Sequence, residues 1–324
     1  MRTVTDSHPP MAFTRSMLKQ FGLAILEIPI SWLISIVRMV FCRLSEVQAY
    51  SVARFLFTPL LSFRNGTLLR NMKKVLMPNG WTEEQVKKLV SKHNRYFCSI
   101  VVELARLPLL SNEELQARII VKGEEHLRAA FHQGKGVLLI GTHVGNWWYT
   151  RSIISVLGYR VSNISNKVPI RSVESHLNRT RKRFHITTCY VGHGGRKAAA
   201  EALRRNEIVS LFFDVAVSGR KQYSRWLPFG PVALQVDLGP AMLALEHRVP
   251  VIWYNIHKTR GTDYDLTFEP IDIHLTEQDT EQLTRSWMDR LVKELLHSPE
   301  QWWQWGNVEL REIEHIQTMP ELIS

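Results

Sequence analysis

A run of apolar residues that ends just before a histidine constrains the fold of this 324-residue chain more than any other feature. Residues 137–140 read Val-Leu-Leu-Ile, which is typical of a strand buried on both faces of a parallel sheet. His143 follows, and the pair Gly145-Asn146 indicates a tight passage into a helix. The pattern predicts that His143 lies at the carboxyl end of a strand, where open α/β sheets carry their chemistry.

Strand-like and helix-like segments alternate from about residue 134 onwards. We predict further strands over residues 160–165, 186–191, 208–214 and 249–257. We predict helices over residues 168–184, 194–205, 238–247 and 280–297. This alternation predicts an α/β fold with a mostly parallel sheet flanked by helices.

Two amphipathic helices are predicted ahead of the sheet, over residues 64–77 and 82–107. Thr82, followed by Glu83-Glu84-Gln85, is a good helix start with a capping side chain. The chain has no internal repeat and no low-complexity linker. We therefore expect residues 66–324 to form one α/β domain with a helical lead-in and a C-terminal helix.

The N-terminal segment is apolar but interrupted. Glu27, Pro29 and Arg38 break the apolar stretch at 21–41, and the charge-free part, 28–37, is roughly half of the ~20 residues that a spanning helix needs. We predict that residues 1–65 form a helical segment that lies in a membrane interface. Flanking cations suit anionic headgroups. A buried helix and a cleaved signal peptide are the alternatives, although no small-x-small cleavage site follows.

The net positive charge of the chain predicts an anionic partner. Lys and Arg number 41 and Asp and Glu 30, which gives a formal charge of +11. Nucleic acid and an anionic membrane both qualify. Because the positive charge is spread and nucleic-acid recognition motifs are missing, we favour the membrane and expect no nucleic acid. Three cysteines in no metal or redox spacing suggest reduced thiols in the cytoplasm.

Three motifs in the same order carry a family resemblance. They are His143, the segment Phe229-Gly230-Pro231-Val232-Ala233 with Gly239-Pro240, and Pro299-Glu300-Gln301-Trp302 with Trp305. Together they resemble the late acyltransferases of bacterial lipid A biosynthesis, within the lysophospholipid acyltransferase-like group, over residues 20–307. The signature of that group is His-x-x-x-x-Asp/Glu, and Trp148 stands here in place of the carboxylate.

The resemblance implies transfer of a fatty acyl group from acyl carrier protein or acyl-coenzyme A to a hydroxyl of a lipid or glycolipid. It also implies a location at the cytoplasmic face of the bacterial inner membrane. His143 would act as general base. The sequence holds no Gly-rich phosphate loop, Cys/His metal cluster or Gly-x-Ser-x-Gly elbow, so we expect no cofactor, no metal and no serine nucleophile.

The missing carboxylate leaves three hypotheses open. Asp214, at the end of its own apolar strand, could reach the ring of His143, because parallel strands end on the same side of a sheet. The acceptor could instead be an amine, which needs less help from a base. The protein could also have lost catalysis and only bind lipid. A core histidine and a turn-capping aspartate are the non-catalytic alternatives for His143 and Asp214.

Candidate substrate-binding residues follow from the same resemblance. Arginines suit a phosphorylated or acidic acceptor, because the guanidinium is a planar fork. The candidates are Asn146, Trp148, Arg181, Arg183, Arg196 and Gly230. A solvated basic face, or a docking surface for an acidic carrier protein, is the alternative for the arginines.

Overall fold

A computed structural model of the protein describes residues 31–192, 194–216, 221–272 and 279–313. Helices at its N-terminal end are α1 (31–43), α2 (Glu46–Ser62), α3 (Asn65–Leu76) and α4 (Glu83–Arg106). The predicted start of α4 is confirmed, because the Thr82 side chain caps the Gln85 amide and the Gln85 side chain reaches back to Thr82. Ala49 and Ala53 of α2 share a small core with Cys98 and Val102 of α4.

The main sheet is built from seven strands of the described chain. They are β1 (Ile119–Lys122), β2 (Val137–Gly141), β3 (Val161–Ser165), β4 (Thr187–Tyr190), β5 (Ile208–Phe212), β8 (Val251–Lys258) and β9 (Tyr264–Ile271), in the spatial order β1-β9-β8-β2-β5-β3-β4. The strands from β8 to β4 run parallel, and β9 runs antiparallel to β8. The predicted α/β fold with a mostly parallel sheet is thus confirmed.

Helices cover both faces of this sheet. They are α5 (Asn112–Ala117), α6 (Glu124–Phe131), α7 (Trp147–Val156), α8 (Arg171–Arg183), α9 (Gly195–Arg204), α10 (Gly239–His247) and α11 (Thr280–His297). Alternate residues of β2 enter two different cores: Leu138 and Ile140 pack in one, and Val137 and Leu139 in the other. Burial on both faces explains why β2 reads as an unbroken apolar run.

A second, antiparallel sheet packs against one of these cores. Its strands are β6 (Ser224–Phe229), β7 (Val232–Asp237) and β10 (Leu310–Glu312), in the order β10-β7-β6. The sequence analysis did not predict this sheet, nor the strands β1 and β9. The link from β8 to β9 spans only residues 259–263, which is too short for a parallel crossover, so β9 has to turn back.

The predicted membrane segment falls partly outside the described residues, which begin at 31. None of the helices that the structure describes is long and apolar enough to cross a membrane. Large apolar side chains are nevertheless exposed on α1 and α2, among them Trp32, Phe55 and Phe63. The association of residues 1–65 with a membrane stays a prediction.

The turn after β2 depends on a glycine. Gly145 has φ +68°, and a Cβ atom there would lie 1.7 Å from the carbonyl oxygen of Ile256. Gly134 has nearly the same angle, φ +72°, but its Cβ would meet open space. Both positions share the left-handed backbone conformation, and only Gly145 adds a steric clash. Comparing substitutions at the two positions therefore separates the cost of the backbone conformation from the cost of the clash.

We predict that Gly145→Ala destabilises the protein clearly more than Gly134→Ala. The left-handed conformation costs roughly 1–2 kcal/mol in either variant, and only Gly145→Ala adds a clash with backbone. Urea unfolding of both variants measures the difference in the free energy of unfolding. Equal losses at the two positions would contradict this interpretation of the turn.

Candidate active site

His143 lies two residues beyond the end of β2, on a loop that the C-terminal segment holds in place. The His143 carbonyl accepts a hydrogen bond from the Trp303 amide at 2.9 Å, and the Gly145 amide donates to the Gln301 carbonyl at 3.1 Å. Val144 forms an isolated antiparallel bridge with Trp302. The loop is therefore fixed by backbone contacts with a segment more than 150 residues away in sequence.

Strand register brings His143 and Asp214 together. Gly141 of β2 pairs with Phe212 of β5 in a parallel ladder, and His143 and Asp214 each follow two residues later. His143 Nδ1 lies 2.8 Å from Asp214 Oδ1, and the His143 amide donates to Asp214 Oδ2 at 2.9 Å. Both contacts agree with the hypothesis that a carboxylate from outside the motif reaches the imidazole.

Asp214 is a fully buried carboxylate with three donors. The third is Trp302 Nε1, which donates to Oδ2 at 2.9 Å. Burial by itself would raise the pKa of Asp214, but the charge of His143 and the hydrogen bonds from His143 and Trp302 outweigh it and hold the pKa below its usual value. Asp214 is therefore an anion at neutral pH, oriented toward the ring.

The contact also sets the state of the imidazole. A carboxylate beside Nδ1 favours the tautomer with the proton on Nδ1. His143 Nε2 has no hydrogen-bond partner within the described ranges, and the side chain lines a cavity. A histidine in this arrangement can accept a proton from a group that enters the cavity.

Asn146 lies in a buried network rather than in the cavity. Its Nδ2 donates to Glu103 Oε2 at 2.9 Å, and Glu103 also accepts hydrogen bonds from Tyr50, Lys258 and Tyr264. Because Glu103 belongs to α4, this network ties the start of α7 to the helical lead-in. Its side-chain amide is directed to Glu103, so Asn146 supports the turn before α7, and its contact with substrate stays a prediction.

A cavity of about 440 Å³ opens beside His143 at the carboxyl edge of the sheet. Most of the side chains around it are apolar or aromatic. They include Trp147, Trp148, Ile164, Val168, Leu177, Val191, Leu211, Phe212, Val215, Pro240 and Leu243. Such a lining suits an apolar chain whose reactive end meets His143.

Two predicted substrate-binding residues, Trp148 and Arg196, line this cavity. Arg196 is ion-paired with Glu246 at a half-exposed position. Arg181 does not line the cavity; it is buried, forms an ion pair of 2.6 Å with Glu174, and lies 5.7 Å from the centroid of the Trp148 ring. Its charge is therefore already balanced within the protein.

The other two candidates lie elsewhere. Arg183 donates to the Leu110 carbonyl and to Asn112 Oδ1, which anchors the end of α8 to the start of α5 and the residues just before it. Gly230 forms the exposed turn between β6 and β7 with φ +58°. Neither residue lines the cavity, and their contact with substrate stays a prediction.

The sequence analysis missed Arg151, which lines the cavity from α7. Burial lowers the pKa of Arg151 to about 10, so the side chain remains a cation at neutral pH. In the sequence, Arg151 differs from its neighbours only as the single charged residue of the helix Trp147–Val156. The hydrogen bond from Trp302 to Asp214 was missed as well, because nothing in the motif indicates where the indole points.

Comparisons with known proteins show the family of the chain. Over 212 residues, the chain is 23% identical to phosphatidylinositol mannoside acyltransferases from two strains of Mycobacterium tuberculosis, H37Rv and CDC 1551. The match covers 62% of this chain and 63% of each relative. A sequence model described as "Bacterial lipid A biosynthesis acyltransferase" matches residues 14–305, which is most of the chain. The chain therefore belongs to the bacterial lipid A biosynthesis acyltransferase family.

Proposed function

We propose that this protein transfers a fatty acyl group from a thioester donor, acyl carrier protein or acyl-coenzyme A, to a hydroxyl of a lipid or glycolipid. The observation that carries the proposal is the contact of His143 with buried Asp214 at the mouth of an apolar cavity. Family membership and the mycobacterial relatives, which are named for acylation of a mannoside of a lipid, support a glycolipid acceptor.

The reaction follows from the two side chains. The acceptor hydroxyl attacks the thioester carbonyl while His143 Nε2 takes its proton. Asp214 stabilises the imidazolium that forms. The tetrahedral intermediate then collapses, the C–S bond breaks, and the thiolate leaves with the proton from His143. A thioester is already activated, so a positioned base is the main requirement on the protein.

The acyl chain is proposed to occupy the cavity. Trp148 takes the place of the carboxylate of the family motif and lies 8% exposed against this space. We infer that Asp214, two residues after the end of β5, takes the role of the carboxylate that the motif supplies five residues after the histidine. Of the three hypotheses for the missing acid, the geometry supports this one.

A membrane-bound location is part of the proposal. Phe55 in the C-terminal half of α2 and Phe63, the residue just after this helix, are 81% and 88% exposed. A cleft of about 340 Å³ on the neighbouring surface is lined by the exposed cations Arg54 and Arg95, together with Lys92 and Lys258, which are paired with Glu300 and Glu103. Apolar side chains beside cations suit the cytoplasmic face of the inner membrane, whose surface is anionic.

His143→Ala should reduce acyl transfer by at least ~10²-fold, which is the typical contribution of a general base. Asp214→Asn should reduce kcat nearly as far, and the double variant should be little worse than either, because the two residues act as a unit. The assay is transfer of labelled acyl groups from both donors to bacterial lipid extracts. Mass spectrometry of lipids from cells with and without the gene identifies the acceptor.

Asp289→Asn is the matched control for Asp214→Asn, because it makes the same chemical change at an exposed position of α11. It should retain wild-type activity. If Asp214→Asn also keeps more than about a tenth of the rate while His143→Ala does not, the imidazole works without the carboxylate. In that case an amine acceptor becomes the better hypothesis.

The membrane proposal predicts that Phe55→Ser with Phe63→Ser weakens binding to anionic vesicles several-fold. Loss of two inserted aromatic side chains removes apolar burial from the bound state. The control is Leu109→Ser with Ile120→Ser. It removes two large apolar side chains that are also exposed, at 62% and 60%, from other parts of the structure, and it should have little effect on vesicle binding. Vesicle flotation measures the bound fraction. Equal losses in the two double variants would contradict a membrane contact through α2.

A further inference from the structure

Arg151 is a buried cation that the proposed reaction does not use. The residue is 3% exposed, and its Nε donates a long hydrogen bond of 3.4 Å to Ser210 Oγ. The guanidinium lies 4.7 Å from the centroid of the Phe212 ring and 5.7 Å from that of Trp148. Within the described ranges, no carboxylate pairs with it and its Nη atoms have no hydrogen-bond partner.

This arrangement leaves the charge of Arg151 poorly compensated. Removing a guanidinium from water is strongly unfavourable unless an anion or several acceptors replace the lost hydration. Contacts with two aromatic rings recover only part of the lost hydration free energy, and a single hydrogen bond of 3.4 Å adds little because it is weak. The neighbouring charge is unfavourable as well, because Arg181 lies on the same indole and repels it.

The other arginines around the site differ from Arg151 in this respect. Arg181 is paired with Glu174, and Arg196 is paired with Glu246. Glu174 accounts for the contrast, because it pairs with Arg181 and not with Arg151. Trp148 lies 5.7 Å from both guanidinium groups, measured to its ring centroid, and its indole supplies no negative charge to either.

The position of Arg151 points to the ligand. Its partner Ser210 lies inside β5, two residues before Phe212, so the guanidinium reaches deeper along the sheet than the level of His143. It is also one of the residues that line the cavity, together with the apolar Ile164, Val168 and Leu177. The lining is mostly apolar, and its other arginine, Arg196, is already paired with Glu246. A buried cation without a carboxylate partner in such a cavity fits an amphipathic molecule with one anionic group.

We propose that Arg151 is an anion-binding subsite that takes the carboxylate or phosphate group of an amphipathic lipid whose apolar part fills the rest of the cavity. The inference rests on the proposed function for the use of this cavity. It concerns binding, however, and not the proton transfer at His143, so the two can fail separately.

Binding of three matched ten-carbon probes to the full-length protein tests the proposal. Decanoate carries a carboxylate, decyl phosphate carries a phosphate, and 1-decanol is neutral. Each is titrated below its micelle concentration and followed by calorimetry. The wild type should bind at least one anionic probe ten-fold or more tightly than decanol. A preference between decanoate and decyl phosphate then distinguishes a fatty carboxylate from a phosphorylated lipid.

Arg151→Met keeps the length of the side chain and removes its charge. It should weaken binding of the preferred anion ten-fold or more and change decanol binding less than two-fold, because only the charged contact is lost. Arg151→Gln serves the same purpose if the Met variant does not fold. Arg128→Met, at an exposed position of α6, removes the same net charge elsewhere and should leave all three affinities unchanged.

His143→Ala separates this inference from the proposed function. It should lose acyl transfer and keep wild-type affinity for the preferred anion. The subsite is contradicted if the wild type binds decanol as tightly as both anions, if neither anion binds, or if Arg151→Met binds the anions like the wild type. Loss of anion binding in Arg151→Met with wild-type affinity in Arg128→Met supports it, whatever the acyl-transfer assays give.

Discussion

The buried carboxylate of Asp214 is the interaction on which the rest of the site depends. It lies between a strand end, the loop after β2 and the C-terminal segment, and it accepts from the His143 ring, the His143 amide and the Trp302 indole. An unpaired carboxylate at full burial would be protonated or excluded, so these three donors are what keep it charged. The fold places all three donors around this one carboxylate.

Two buried charges of opposite sign lie near the same cavity, and they differ in how well the protein compensates them. The Asp214 anion is fully hydrogen-bonded and can only act through His143. The Arg151 cation is left without a counter-ion in the described chain, so a ligand can still pair with it. Trp148 lies beside the Arg151 guanidinium, and its uncharged indole does not supply the missing counter-ion.

The sequence predicts the parts of this site that depend on strand pattern, and fails where long-range packing decides. Strands β2 and β5 are buried on both faces, so their apolar runs are unambiguous and their ends place His143 beside Asp214. Gly230 and Arg183 were assigned from the resemblance, and the structure places both outside the cavity, one in an exposed turn and one at the end of α8. Trp302 and Arg151 act through side-chain directions that only the tertiary structure determines.

The central claim is that Asp214 fixes His143 with its proton on Nδ1 and leaves Nε2 as the base. Nitrogen-15 NMR of histidine-labelled protein measures this tautomer directly, and comparison with His143→Gln assigns the signal. The account predicts that the neutral imidazole carries its proton on Nδ1, because Asp214 accepts a hydrogen bond from that N–H. A His143 signal from the Nε2–H form, or one unchanged in Asp214→Asn, would contradict it.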